Sequence, residues 1–110
     1  MAIYTGHQCR LERQRLRLSQ QALAHLADCP GASAPNICVF EMGGRLSEDA
    51  RNRVGYVLEM VDQMKRAFPF SLDMRDMGSL KAALAAFERR DERWFTEREV
   101  KPELPDFITF

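Results

Sequence analysis

The chain has 110 residues, 45% apolar and 29% charged, the composition of an ordinary globular protein too short for two full cores. Sixteen Lys/Arg balance sixteen Asp/Glu, which excludes a binder whose hold on nucleic acid rests on global positive charge. Apolar runs are only a few residues long and no charged-then-apolar leader opens the chain, so neither a membrane span nor a secretion signal is expected and a cytoplasmic location is the default.

Met1 to Gly6 reads as a short lead, followed by a helix from about Thr5 or His7 to Arg17 with Cys9, Leu11 and Leu16 inward and its arginines outward. Ser19 is a good N-cap for a second helix, because its hydroxyl can accept a free backbone N–H of the first turn. Leu23, Ala24 and Ala27 there share one face. Asp28-Cys29-Pro30-Gly31 ends that helix, since Pro and Gly do not continue it cheaply. Ser33 caps a third helix, with Pro35 in its first turn, Ile37 and Phe40 on its buried face, and Gly43-Gly44 as a left-handed C-cap.

Ser47 then caps a fourth helix with Glu48 and Asp49 in the first turn, where the helix dipole favours acids. Its apolar stripe (Ala50, Val54, Val57, Leu58, Val61, Met64, Phe68) runs about six turns. That is more than a three-helix core can cover, so the distal half must pack on something else. Pro69 to Asp76 reads as a linker, and a fifth helix is expected over Ser79–Arg93 with Leu80, Ala83, Leu84 and Phe87 on one face. From Thr96 onward, Pro102 and Pro105 predict an extended tail ending in Phe107-Ile108-Thr109-Phe110. The expected fold is therefore all-α with about five helices, divided into an N-terminal unit over 1–68 and a C-terminal helix and tail over 69–110.

Charge is unevenly spread: nine Lys/Arg face seven Asp/Glu through Phe68, and seven face nine from Pro69 onward. Arg10, Arg13, Arg15 and Arg17 crowd one short stretch and form a modest local patch. Cys9, Cys29 and Cys38 are an odd number without paired spacing, which points to neither a disulfide framework nor a zinc site. The sequence offers no nucleophile arrangement around His7 or His25 and no phosphate-cradling Gly-rich loop, so no enzyme, metal or cofactor is expected.

The stretch Leu18 to Arg45 resembles the lambda-repressor-like, or XRE-type, helix-turn-helix family, and with the first helix the likeness spans about His7 to Leu58. The residues that carry it are Ser19-Gln20 and Leu23-Ala24 in the second helix, then Ser33, Ile37, Phe40-Glu41 and Gly43 in the third. The resemblance implies that the third helix enters a DNA major groove while Arg17, Ser19-Gln20, Ser33 and Arg45 meet phosphates. It also implies a partly buried Arg13–Glu41 pair. Three departures stand out: the turn Asp28–Ala32 is about three residues longer than the family's, Met42 replaces a usual Asn, and the base-reading positions fall on Ala34, Pro35, Cys38 and Val39. None of those four makes the bidentate contacts that distinguish guanine or adenine, although they can touch thymine methyls; only Asn36 nearby can read an adenine edge.

The stripe Val57, Leu58, Val61, Met64 and Phe68 has two readings. Either the fifth helix folds back over it, or it joins Leu84 and Phe87, with the Phe107–Phe110 tail, in a two-fold dimer interface of the kind that paired DNA half-sites require. The function expected is a homodimeric transcriptional regulator, most simply a repressor, binding double-stranded DNA at a palindromic operator. The alternative is an antitoxin or adaptor that keeps the helix-turn-helix core and grips a protein partner.

Overall fold

Residues 4–99 are described by a computed structural model, which places six α-helices and no strand among them. These are α1 (Gly6–Arg15), α2 (Gln20–Ala27), α3 (Ala34–Glu41), α4 (Glu48–Ala67), α5 (Met77–Glu88) and α6 (Glu92–Thr96). The expected Phe107–Phe110 tail lies outside the described residues. The fold is all-α, as the periodicity predicts.

Each helix starts on a short oxygen-bearing side chain. Thr5, Ser19, Ser33, Ser47, Asp76 and Asp91 accept the backbone N–H of Gln8, Ala22, Asn36, Ala50, Ser79 and Trp94 respectively. Each bond satisfies one of the donors that a helix N-terminus leaves without an internal partner. At Thr5 the bond is reciprocated, because the Gln8 side chain accepts the Thr5 N–H at 3.0 Å and completes a capping box.

Three helix ends use the same two-bond wrap. After α3, Gly43 N–H donates to the Phe40 carbonyl (3.1 Å) and Gly44 N–H to that of Val39 (2.8 Å), with Gly43 at φ 101°. After α1, Arg17 and Leu18 donate to Gln14 and Arg13 at 3.0 Å each, and the left-handed position is filled by Arg17 (φ 61°). After α5, Arg90 (φ 58°) and Asp91 donate to Phe87 and Ala86. That third wrap shortens the fifth helix from the expected Ser79–Arg93: the chain leaves it after Glu88 and restarts at Asp91 as α6. Local capping overrode a continuous helical pattern.

The core is one continuous cluster. α2 lies at its centre, against α3, α4 and α5, and Leu23, Leu26, Ile37, Val54, Leu58, Leu80 and Phe95 all belong to it. The stripe on α4 is covered from within: Val57, Leu58, Val61 and Met64 have no exposure and Leu84 has 3%. These residues are therefore not a surface for a second copy, which corrects the dimer-interface reading; α5 folds back, and the short α6 adds Phe95. The Phe95 ring stacks on Phe68 at 4.3 Å and meets the edges of Phe87 and Trp94. Phe68 and Phe87 are left half-buried. Ser71 fastens the intervening loop by donating its hydroxyl to the Phe95 carbonyl at 2.7 Å.

One expected inward residue faces out. Leu11 is 53% exposed, because α1 turns Cys9, Arg13 and Leu16 toward the core, and a residue two positions from Cys9 lies about 200° around the helix. Two cations of α4 finish the earlier helices instead of facing solvent. Arg53 Nε donates to the Ala27 carbonyl at 2.8 Å and Lys65 Nζ to that of Leu16 at 3.1 Å, each at a helix end that carries partial negative charge.

Gly6 lets α1 close on α3, since a Cβ there would fall on the Phe40 carbonyl oxygen. Gly6→Ala is expected to lower unfolding free energy by about 1–3 kcal/mol or more, read by thermal or urea denaturation, whereas Leu11→Ala should change it little.

Candidate nucleic-acid interface

Glu41, at the last turn of α3, is the residue around which the site is built. Its side chain is 3% exposed and its two oxygens take the Arg13 guanidinium in a fork, Nε to Oε2 and Nη2 to Oε1, both 2.8 Å. The remaining Arg13 nitrogen, Nη1, donates to the Leu18 carbonyl at 2.9 Å, and Gln20 Nε2 donates to Glu41 Oε1 at 3.2 Å. The network fixes the end of α1, the start of α2 and the end of α3 with respect to one another. The expected Arg13–Glu41 pair is present, and the Gln20 amide is part of it.

Burial by itself pushes the Glu41 carboxyl up, but the hydrogen bonds from Arg13 and Gln20 and the Arg13 charge outweigh it and hold the group below its ordinary range. The Cys9 thiol, 3.8 Å from Glu41 Oε2, is pushed up to about 12 by burial and then by that carboxylate, so it remains a neutral donor.

The outward side of α3 carries Pro35, Asn36, Val39 and Met42, all exposed, with Val39 at 55% and Met42 at 82%. Positions 35, 39 and 42 follow the i, i+4, i+7 ridge of one helix face, and Cys38 lies half-buried at its side. Ala34 is half-buried at the mouth of a groove with Gln21, Ser33 and Pro30. Asn36, the one expected adenine reader, turns back: its amide donates to the Gly31 carbonyl at 3.1 Å. That bond, with Ala32 N–H on the Cys29 carbonyl at 2.9 Å and left-handed Asp28, shapes the long turn between α2 and α3.

Ser19 and Ser33 hold their helix N-termini with their hydroxyls. Arg10, Gln14 and Gln20 share a cleft with Cys38 and Met42, so a cation and two amides border the apolar ridge. Arg45 is exposed just beyond Gly43-Gly44. Among the described residues, Arg10, Arg17 and Arg45 take part in none of the ion pairs, which engage Arg13, Arg15, Arg66, Lys81, Arg89 and Arg93. Arg53, by contrast, is held at the end of α2 and over the Tyr56 ring.

Arg75 escaped the sequence reading. It lines one cleft with Arg17, Leu72, Asp73 and Met74, an approach between the loop after α4 and the end of α1 that no local motif announces. No protein-family model, curated protein or solved structure matches the chain.

Removing one partner of the Arg13–Glu41 pair leaves a buried charge uncompensated, so Arg13→Ala or Glu41→Ala is expected to lose roughly 3–5 kcal/mol of stability. Because the folded Glu41 titrates below its ordinary value of 4.5, its contribution is full above that pH and is lost as pH falls through the folded value. Urea titrations between pH 6 and 3 should show a steeper acid loss in the native chain than in Glu41→Gln.

Proposed function

We propose that the chain is a DNA-binding transcriptional regulator of the lambda-repressor-like type, which occupies a palindromic operator as a homodimer and represses by occluding a promoter. The observation that carries this reading is the α2–α3 pair. Its mutual angle is held by Arg13, Gln20 and Glu41, and the outward α3 ridge is bordered by Arg10 and followed in sequence by Arg45, neither of them in an ion pair among the described residues. A rigid protruding helix with unpaired cations at its rim suits a groove whose edges are phosphates. Gln20 keeps an N–H for a phosphate while its other donor braces Glu41.

Arg17 adds a separate argument. An arginine at φ 61° sits where glycine is more comfortable, and among the described residues its guanidinium takes part in no ion pair. In this reading it is a phosphate contact, with Arg75 lining the same cleft. Since the α4 stripe is buried, two-fold pairing draws on other apolar surface, of which Phe70, 52% exposed, with the half-buried Phe68 and Phe87, is the distal example.

A second reading is favoured by Val39 and Met42, two large apolar side chains left in the open: a protein-interaction module of the antitoxin or adaptor kind that uses the same ridge.

The deciding experiment is recovery of genomic fragments by the purified protein at near-physiological salt. A retained palindrome whose affinity falls with salt by about three to six charges per dimer site supports the regulator; no enriched duplex, with a co-purifying protein on the ridge, supports the second reading. Gln20→Ala with Arg45→Ala should weaken duplex binding while thermal unfolding stays nearly unchanged. Arg17→Gly should raise stability by up to about 1 kcal/mol and still lower duplex affinity, a divergence that a purely structural arginine would not produce.

A further inference from the structure

We propose that α3 selects its DNA by the C5-methyl groups of thymines, packed against Pro35, Val39 and Met42, with no bidentate hydrogen bond to any base. This rests on the duplex-binding reading above. Glu41 is committed inside the chain to Arg13 and Gln20, and one Asn36 N–H is donated to the Gly31 carbonyl, which directs that amide toward the turn before α3. The ridge of Pro35, Val39 and Met42 presents hydrocarbon and a thioether, with Val39 at 55% and Met42 at 82% exposure.

The surroundings identify the occupant. A lone apolar ridge fits many protein grooves, but this one is bordered by Arg10 and Gln20 and followed by Arg45, and neither arginine has an acidic partner among the described residues. The complementary surface is anionic at its rim and apolar in small isolated spots beside it. A B-form major groove over A·T pairs has that layout, because thymine is the base that presents a methyl group there. Val39 is also well fixed for such a contact: it is β-branched, and the close approach of Gly44 leaves no room for a side chain between them.

The test replaces thymine by uracil in the recovered site. Uracil keeps every Watson–Crick and groove hydrogen bond and removes only the methyl. Fluorescence anisotropy of the native protein on the two duplexes is expected to show about a fourfold weaker Kd for each methyl lost beneath α3, the effect of uncovering about one methyl-sized apolar group. Val39→Ala and Met42→Ala, both at exposed positions that leave the fold intact, should weaken binding to the thymine duplex and shrink the difference between thymine and uracil. Equal affinity of the native protein for both duplexes, with tight binding retained, overturns methyl readout and leaves the DNA-binding reading standing. Failure of the native protein to hold any duplex overturns both.

Discussion

A buried carboxylate gripped by one arginine and one amide organises this molecule. Glu41 belongs to α3, Arg13 to α1 and Gln20 to the first turn of α2, so a single charge cluster ties three helices. Charge taken out of water is unfavourable until its lone pairs are filled, and here the fork, the amide and the Cys9 thiol fill them. An apolar substitute of similar volume would pack α1 against α3 without fixing their register, because hydrophobic contact has no preferred direction. Hydrogen bonds with set angles hold α2 and α3 in one orientation, and the outward ridge of α3 inherits that rigidity.

The remaining architecture serves the same constraint from behind. α4 supplies apolar area through Val54, Leu58 and Val61 and also closes the two helices before it, with Arg53 on α2 and Lys65 on α1. Burial, the Arg17 charge and the Arg15 charge all lower the Lys65 ammonium, which remains opposite the Leu16 carbonyl despite them. Beyond Pro69 the chain returns, so that α5 and the Phe68–Phe95 stack cover the distal half of α4.

The surface charges bear on function through what is left unpaired. Five surface cations lie beside a carboxylate: Arg15 between Glu12 and Asp62, Arg66 against Asp62, Lys81 against Asp28, Arg89 against Asp91 and Arg93 against Glu97. Among the described residues Arg10, Arg17 and Arg45 do not, and they lie in sequence around the helix pair. Zero net charge therefore conceals a local field, and a polyanion would meet it without a strongly basic protein behind it.

The sequence by itself determined where helices begin and how they end, because capping is a matter of neighbours: Ser19, Ser33 and Ser47 start helices as their hydroxyls predict, and Gly43-Gly44 stops one. It also carried the buried faces of α3 and α4, which follow from spacing. The early end of α5 escaped, since the wrap at Arg90 uses a residue with no glycine-like signature, and Leu11 was misplaced because a ten-residue helix with many arginines has a weak apolar stripe. Tertiary structure alone decided what covers Val57, Leu58, Val61 and Met64, because periodicity defines a sticky face without naming its partner, be it a fold-back helix or a second copy. It alone showed that Asn36 is engaged by the turn and that Arg75 lines one cleft with Arg17. Contacts between segments distant in sequence depend on chain path, and local propensity carries no information about that path.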